Sequence, residues 1–267
     1  MDKKLGFIGA GNMATAIING IIKKGAYKAQ DICIFDLSED KKEKMSKLGI
    51  EVAKSASAVF DKSSFVVLAV KPQNYEEVLN DVKNSVKCDH VIVSIAAGIS
   101  IGYIKERVSG DCAVVRVMPN TPLLLEEGAT AVCGSEGISK EKFALACELF
   151  SSSGIVEVLS EDKMNEVIAI NGSSPAYIYL FAKAMKDYSD KCGIDSKASM
   201  SLICQTLKGS AKMLLESEYT PDELIKMVSS PGGTTLAALK TLEQKGFYDS
   251  IVEAMESCTK RADELSK

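Results

Sequence analysis

Glycines spaced to receive a phosphate group stand near the start of the chain. Gly9 and Gly11 follow the apolar run Leu5–Ile8, and Ala14 completes the spacing G-x-G-x-x-A. The first glycine permits a tight turn, the second lets the backbone approach a pyrophosphate, and the helix that follows offers unpaired N–H groups at its start. Strand, glycine turn and helix in this order are typical of a dinucleotide site and predict that the chain binds NAD(P).

A carboxylate follows at the distance that such a site requires. Asp36 ends a second apolar run, Ile32–Phe35, about 20 residues beyond the glycines. A carboxylate there accepts hydrogen bonds from the adenosine ribose and repels a 2′-phosphate, so Asp36 favours NADH over NADPH. The preference is mild, because Lys41 and Lys42 are close enough in sequence to bind a phosphate. The alternative interpretation of Asp36 is an N-cap for the helix that begins near Ser38.

Further segments contain residue types suited to a binding site: Ala69-Val70-Lys71-Pro72, 94–98, 118–122, 171–177 and 229–235. Lys71 leaves a buried strand and can reach a ribose or a substrate, and the small residues around Ala97 let a nicotinamide ribose lie against the backbone. Pro231-Gly232-Gly233 exposes consecutive N–H groups before a helix, where Thr234 and Thr235 add hydroxyls, which predicts a carboxylate site. For Lys71 the alternative is a solvated loop lysine, for the segment around Ala97 it is tight packing, and for 229–235 it is an ordinary turn between helices.

Together these segments indicate a substrate with a carboxylate and a reducible centre, and a pocket without a strong acid. A protonated imine fits, because it accepts hydride at carbon without an acid that protonates oxygen. The single histidine, His90, precedes the predicted strand Val91–Ile95, whereas α/β sheets bind ligands at the carboxyl ends of their strands. We therefore expect His90 on a surface loop, no histidine-dependent hydroxyacid chemistry and no metal site.

The elements that position these residues fall into two halves. Strands and helices alternate to about residue 160, and strand signals stop from Asp162. This predicts an α/β protein with an N-terminal Rossmann-type doubly wound sheet, residues 1–161, and a C-terminal all-α domain for substrate binding and dimerisation, residues 162–267. The predicted strands are 5–8, 32–35, 50–53, 65–70, 91–95, 114–117, 129–133 and 155–158. The predicted helices include 13–24, 39–48, 140–151, 164–192, 196–216, 220–229, 234–245 and 247–265.

Composition narrows the class of protein further. The apolar share is 46% and the net charge is −4, so the chain resembles a globular enzyme without a basic face for nucleic acid. No 18-residue apolar span or signal peptide is evident. Eight cysteines lack any CxxC spacing, which predicts mostly buried thiols in a reducing cytoplasm. The wide apolar arc of helix 196–216, with Leu202 and Leu207 on it, predicts a homodimer.

These residues resemble a known family, pyrroline-5-carboxylate reductase. The segments that carry the resemblance are 7–14, 69–72, 94–98, 118–122, 172–177, 209–213 and 229–235, in the same order over essentially the whole chain. It implies that NAD(P)H reduces L-1-pyrroline-5-carboxylate, a cyclic imino acid, to L-proline in the last step of proline biosynthesis. It also implies dimers with interleaved helical domains, assembled further into a decamer of five dimers. Relatives that prefer NADPH usually have small or basic residues in place of Asp36.

The resemblance assigns roles to individual residues. Thr235 binds the ring nitrogen and, with Lys71, is expected to be catalytic. The expected cofactor-binding residues are Ile8, Gly9, Ala10, Gly11, Asn12, Met13, Asp36, Ala69, Val70, Lys71, Pro72, Ala96 and Ala97. The expected substrate-binding residues are Ser174, Pro175, Glu218, Gly232, Gly233, Thr234 and Thr235.

Two other functions fit part of the pattern. A β-hydroxyacid dehydrogenase shares the glycine turn and a helical second domain, but its lysine on the first interdomain helix has no counterpart in 166–171, and Lys163 lies earlier. An NAD(P)-binding sensor without turnover would need the glycine turn alone. The carboxylate-binding segment 231–235 argues against the sensor, which has no need for such a site.

Overall fold

The computed structural model describes residues 4–109 and 111–266. The described chain divides into two compact units. The first, the sheet unit, comprises residues 4–173 and 258–266, and the second, the helical unit, comprises residues 174–257. The predicted fold class, a Rossmann-type α/β sheet followed by an all-α part, is confirmed.

One sheet forms the centre of the sheet unit. Its strand order is β3-β2-β1-β4-β5-β6-β7-β8, and all neighbours are parallel except the antiparallel pair β6 and β7. The chain returns from β3 at one edge to β4 beside β1, so the strand order reverses between β1 and β4, where a doubly wound sheet opens a crevice. The strands are β1 (Leu5–Ile8), β2 (Ile32–Phe35), β3 (Glu51–Val52), β4 (Phe65–Leu68), β5 (Val91–Ser94), β6 (Ala113–Met118), β7 (Gly128–Gly134) and β8 (Gly154–Val158).

Helices cover both faces of this sheet, which explains why its central strands are continuous apolar runs. One face packs against α1, where Ile17 and Ile21 are fully buried, and the other packs against α3 and α4 through Phe60 and Leu79. The helices of the sheet unit are α1 (Asn12–Lys23), α2 (Glu39–Lys47), α3 (Ala56–Lys62), α4 (Tyr75–Val82), α5 (Ile101–Lys105) and α6 (Lys140–Ser151). Helices α3 and α5 lie outside the helices named from the sequence, because each is too short for a clear helical period.

The helical unit exposes many large apolar side chains. Leu202 is 67% exposed, Leu215 is 80% exposed and Tyr248 is 78% exposed. Large exposed apolar side chains in such number are typical of a protein interface. The helices are α7 (Ser174–Lys191), α8 (Ser196–Glu216), α9 (Pro221–Met227), α10 (Thr234–Gln244) and α11 (Phe247–Leu265), of which α11 runs into the sheet unit from Cys258. Within the described residues, no helix has the length and apolar character that crossing a membrane requires.

The predicted helix 164–192 is wrong in its first part. The chain forms a π-helical turn over Ile168–Gly172 before α7 begins. Asn171 explains the interruption, because its side-chain amide donates to Met118 O at 2.8 Å and to Ala129 O at 3.0 Å. These bonds tie the π-helical turn to β6 and β7, and residues 162–173 belong to the sheet unit. The predicted division into domains at 161/162 therefore differs from the packing limit at 173/174 and stays a prediction.

Two predictions about burial are also wrong. His90 is 4% exposed rather than on the surface; it lies against Phe60 and its Nδ1 accepts the N–H of Lys87 at 3.0 Å. Burial lowers the pKa of His90. Of the eight free cysteines only three, Cys33, Cys112 and Cys133, are buried, because most of the others lie on loops or on outward faces of helices.

Candidate active site

A cleft of 570 Å³ opens at the carboxyl ends of β1, β2 and β4, where the strand order reverses. This is where a doubly wound sheet binds its ligand. Seven residues expected from the sequence to bind the cofactor line it: Ile8, Gly9, Gly11, Asp36, Ala69, Val70 and Lys71. The sheet unit therefore brings the predicted glycine turn, acidic residue and lysine together.

The turn after β1 has the shape of a phosphate cradle. Gly9 has φ +98°, and a Cβ on it would lie 2.5 Å from Ala69 O, so only glycine allows the two strand ends to approach. A Cβ on Gly11 would meet no described atom within 4 Å, which leaves room for a ligand against the backbone. Gly11 is also the N-cap of α1, so the unpaired N–H groups of that helix start beside the cleft. These features fit the pyrophosphate of a dinucleotide.

Asp36 is both a wall of the cleft and a support of this turn. It is 9% exposed, and its Oδ2 accepts the N–H of Ala10 at 2.7 Å, while its Oδ1 accepts the N–H of Ser38 at 2.9 Å. Lys41 Nζ lies 3.1 Å from Oδ2. Burial acts to raise the pKa of Asp36, but the hydrogen bonds from Ala10, Ser38 and Lys41 outweigh it and hold the pKa below its ordinary value. Asp36 therefore stays a carboxylate that links the loops after β1 and β2.

Four of the other expected cofactor residues, Ala10, Asn12, Met13 and Pro72, lie next to these along the chain, and two, Ala96 and Ala97, follow another strand. Ala10 is buried, with its N–H on Asp36, and Pro72 opens a 3₁₀ turn directly after Lys71. Asn12 and Met13 are the first two residues of α1, and Ala96 and Ala97 follow the carboxyl end of β5. Ala96 is buried and Ala97 is half-buried. These six residues are outside the described lining of the cleft.

Sequence reasoning missed several residues that line the cleft. Leu37 and Ser38 follow β2, and Gln73, Asn74 and Glu77 follow Lys71. The position of all five after the carboxyl end of a predicted strand was a usable signal, because these ends meet at one edge of a parallel sheet. Their residue types alone suggest only a solvated loop.

In the Met118–Pro122 loop, the polar side chain of Asn120 has a structural role. Asn120 is 8% exposed; its Oδ1 accepts the N–H of Ala129 at 2.9 Å and its Nδ2 donates to Asn171 O at 3.2 Å. Both ends of this amide are therefore engaged by the main chain. Asn120 fixes the end of β6 to the start of β7 and to the π-helical turn.

Within the helical unit, the start of α10 has the form of an anion site. Gly232 has φ +71°, and Gly233 occupies the N-cap position without a side-chain cap, among the described residues. Thr234 and Thr235 are the first two residues of the helix. Because the first N–H groups of a helix have no partner within it, this start can bind a carboxylate. The N–H of Gly233 already donates to Ser230 O at 3.0 Å, so this donor supports the turn.

The remaining expected substrate residues lie at other positions of the helical unit. Ser174 and Pro175 open α7, and Pro175 is buried there. Glu218 is exposed in the turn between α8 and α9. Each therefore lies at or beside a helix end; the sequence placed Glu218 between two predicted helices, but it placed Ser174 and Pro175 within the predicted helix 164–192.

Comparisons with known proteins find similarity along both units. Residues 161–265 match the family model described as pyrroline-5-carboxylate reductase dimerisation, and residues 4–98 match one described as NADP oxidoreductase, coenzyme F420-dependent. Pyrroline-5-carboxylate reductase of Escherichia coli (strain K12) is 37% identical over 268 residues, with 100% of each chain covered. The crystal structure of Plasmodium falciparum pyrroline carboxylate reductase with NADP bound has a TM-score of 0.92 at 30% identity, covering 99% of this chain and 98% of that one. The 1-pyrroline-5-carboxylate reductase of Streptococcus pyogenes has a TM-score of 0.90 at 33% identity, covering 99% and 100%.

Proposed function

This chain belongs to the pyrroline-5-carboxylate reductase family, and from that premise we propose how its own residues perform the reaction. It is an enzyme that uses NAD(P)H to reduce L-1-pyrroline-5-carboxylate to L-proline, the final step of proline biosynthesis. The observation that carries the assignment is full-length similarity combined with an open glycine cleft at the strand reversal. The roles of the individual residues in binding and catalysis are the proposal.

The nucleotide lies along the cleft of the sheet unit. Gly9, Gly11, Asn12 and Met13 hold its pyrophosphate, supported by the φ of Gly9, the open space at Gly11 and the uncapped start of α1. Ala69, Lys71 and Ala97 line its nicotinamide half. Ile8, Ala10, Val70, Pro72 and Ala96 shape the same two walls.

The enzyme prefers NADH to NADPH. Asp36 is anionic and lies in the cleft wall after β2, where it repels a 2′-phosphate. Lys41 is paired with it at 3.1 Å and weakens that repulsion, so NADPH remains a usable substrate. The related Plasmodium falciparum protein has NADP bound, which agrees with tolerance for either nucleotide within the family.

The imino acid binds through the helical unit. The N–H groups of Gly232 and Thr234, at the start of α10, receive its carboxylate, and Gly233, whose own N–H donates to Ser230 O, supplies the turn that exposes them. Ser174, Pro175 and Glu218 shape the surroundings of the ring. The Thr235 hydroxyl accepts a hydrogen bond from the protonated ring nitrogen, which orients the imine for attack at its carbon.

Bound NAD(P)H supplies the hydride. The imine is electrophilic when its nitrogen is protonated, so the protein needs no acid at the carbon under attack. Its residues instead bind and orient the imino acid and the nucleotide and exclude water from them, with Thr235 at the ring nitrogen and Lys71 on the nicotinamide side.

The helical unit is a dimerisation domain, and the protein forms a homodimer. We propose that five such dimers assemble into a decamer and that the enzyme works in the cytoplasm. The free state of all eight cysteines in the described structure agrees with a reducing compartment. Light scattering of the purified protein tests the assembly.

The residue assignments are tested by following NADH and NADPH oxidation at 340 nm with racemic pyrroline-5-carboxylate. Thr235→Ala removes the proposed contact to the ring nitrogen and should lower kcat/KM roughly tenfold, as expected for one lost hydrogen bond. Thr241→Ala is the matched control, because Thr241 lies farther along α10 and its hydroxyl bonds to Ala237 O. Equal kinetics for the Thr235 variant and wild type would remove Thr235 from the mechanism.

A further inference from the structure

Tyr75 is a fully buried polar residue beneath the carboxyl end of the sheet. It is the first residue of α4, and its relative exposure is 0%. Its hydroxyl lies 2.9 Å from Leu68 O and 2.9 Å from Ser94 Oγ. Ser94 is also 0% exposed. A hydroxyl buried this deeply is costly unless its hydrogen bonds are satisfied, and here they join two different strands.

The direction of these hydrogen bonds follows from counting protons. A carbonyl oxygen can only accept, so Tyr75 donates its single proton to Leu68 O. The Ser94 hydroxyl must then donate to Tyr75. Burial raises the pKa of Tyr75 far above its ordinary value, although the bond with Ser94 opposes this. The phenol therefore stays protonated and keeps donating at every pH where the enzyme works.

The two bonds hold the bases of two loops, of which the one that contains Lys71 lines the cleft. Leu68 ends β4 and is followed by the loop that contains Lys71, while Ser94 ends β5 and is followed by the loop that contains Ala97. The bond from Tyr75 to Leu68 also closes the Lys71 loop upon itself, because Tyr75 is the residue that ends this loop. One hydroxyl thus fixes both loops.

Packing alone does not explain this hydroxyl. Phenylalanine would fill the same volume and would spare the cost of burying an oxygen, yet the chain places a donor there and faces it with a buried serine. A shift of about 1 Å in a loop that positions a reacting group can cost about 100-fold in rate. A device that couples the two loops is therefore of direct use to catalysis.

We propose that Tyr75 is a positioning residue for hydride transfer. Its hydroxyl holds the Lys71 and Ala97 loops in register, so that the nicotinamide half of NAD(P)H is bound in one orientation. The proposal rests on the proposed assignment of these two loops to the nicotinamide half. The adenosine half lies against the loops after β1 and β2, which Tyr75 does not join.

The test is Tyr75→Phe, with Tyr103→Phe as the matched control. Tyr103 is another buried tyrosine, 6% exposed, but it lies on α5 and outside the described lining of the cleft. The dissociation constants of NADH and of ADP-ribose are measured by titration calorimetry, with kcat and KM for NADH at saturating pyrroline-5-carboxylate. Tyr75→Phe should lower kcat/KM for NADH about tenfold and weaken NADH binding, as one lost hydrogen bond allows, and ADP-ribose binding should change less than twofold. The control should match wild type in all of these.

A second variant makes the result independent of whether Tyr75→Phe folds. Ser94→Ala removes the other end of the same chain of bonds and should reproduce the selective loss for NADH. The double variant should lose no more than the larger single loss, since both hydroxyls act through one connection. The proposal is overturned if the variants change only the melting temperature, or if NADH and ADP-ribose weaken equally. Absence of turnover by wild-type protein would contradict the proposed function, whereas the comparison of NADH with ADP-ribose would still decide the role of Tyr75.

Discussion

Replacing Asp36 by asparagine separates its two roles, because the side chain keeps its shape and loses its charge. The carboxylate presents one oxygen to the N–H of Ala10 and the other to the N–H of Ser38. An asparagine has only one oxygen, so in either orientation its amide nitrogen faces one of these donors. The variant also loses the ion pair with Lys41.

The cost in stability follows from these contacts. A hydrogen bond to a charged group contributes about 1.5–3 kcal/mol. The ion pair adds at most about 1 kcal/mol, since the Lys41 side chain is 46% exposed and solvent screens it. We therefore expect Asp36→Asn to lower the free energy of unfolding by about 2–3 kcal/mol at neutral pH. Because the folded-state pKa of Asp36 is lowered, its contribution is complete above the unfolded pKa, about 3.9, and disappears as the pH falls through the folded value.

The effect on nucleotide choice is smaller and separable. Loosening of the glycine turn affects NADH and NADPH alike, so it cancels in the ratio of their kcat/KM values. The charge at 36 opposes only the 2′-phosphate, and at about 4 Å in a solvated site this repulsion is about 1 kcal/mol. Asp36→Asn should therefore raise the NADPH/NADH ratio about fivefold.

The assay is nucleotide oxidation at 340 nm with wild type and three variants. Lys41→Gln should shift the ratio towards NADH, since it removes the charge that offsets Asp36. Lys47→Gln is the control, because Lys47 is the last residue of α2, pairs with Glu43 and lies outside the described cleft lining. An unchanged ratio in Asp36→Asn would refute the reasoning and place the ribose contact elsewhere.

Two further predictions concern the protein outside the cleft. Burial lowers the pKa of His90 in the folded protein, so below the unfolded pKa of about 6.5 the unfolded state binds the extra proton and the free energy of unfolding falls. Urea unfolding should therefore show that His90→Asn loses less stability than wild type between pH 7.5 and pH 5. Equal losses would contradict this. Leu202→Glu places a charge on the exposed apolar surface of α8 and should shift the dimer to monomer at micromolar concentration, as measured by light scattering. The control Leu48→Glu, on the sheet unit, should stay dimeric. A dimeric Leu202 variant would exclude that surface from the interface.

The parts of the fold predicted correctly are those set by local periodicity. The first elements are consecutive in sequence: strand β1, the turn at Gly9 and Gly11, and helix α1. The apolar run, the glycines and the helical period can therefore be recognised together. The positive φ of Gly9 is a local reason for glycine in the turn, although the Ala69 carbonyl that also excludes a side chain there is distant in sequence, and the parallel strands are apolar because both faces are covered. The cleft lining could be inferred in part because it follows strand ends.

The parts that the sequence concealed depend on contacts between distant residues. Tyr75 reads as an ordinary residue of an amphipathic helix, and only the strand pairing brings Ser94 to its hydroxyl. His90 reads as a loop residue because its burial comes from Phe60, 30 positions earlier in the chain. The π-helical turn depends on Asn171 reaching Met118 and Ala129, which no helical period encodes. Each case is a tertiary contact that overrides a local preference.

If Asp36 sets the nucleotide preference as proposed, preference and stability are coupled at that residue but not at Lys41. Asp36 supports the glycine turn through Ala10 and lines the cleft, so a substitution there that improves NADPH use should also weaken the turn proposed to hold either nucleotide. Lys41 is different, because it lies half-exposed on α2 and reaches the site only through its ammonium group. A change there alters the charge that a 2′-phosphate meets and leaves both main-chain hydrogen bonds of Asp36 in place. Preference can thus be shifted at Lys41 with little loss of stability, whereas a shift at Asp36 needs compensation in the loop after β1.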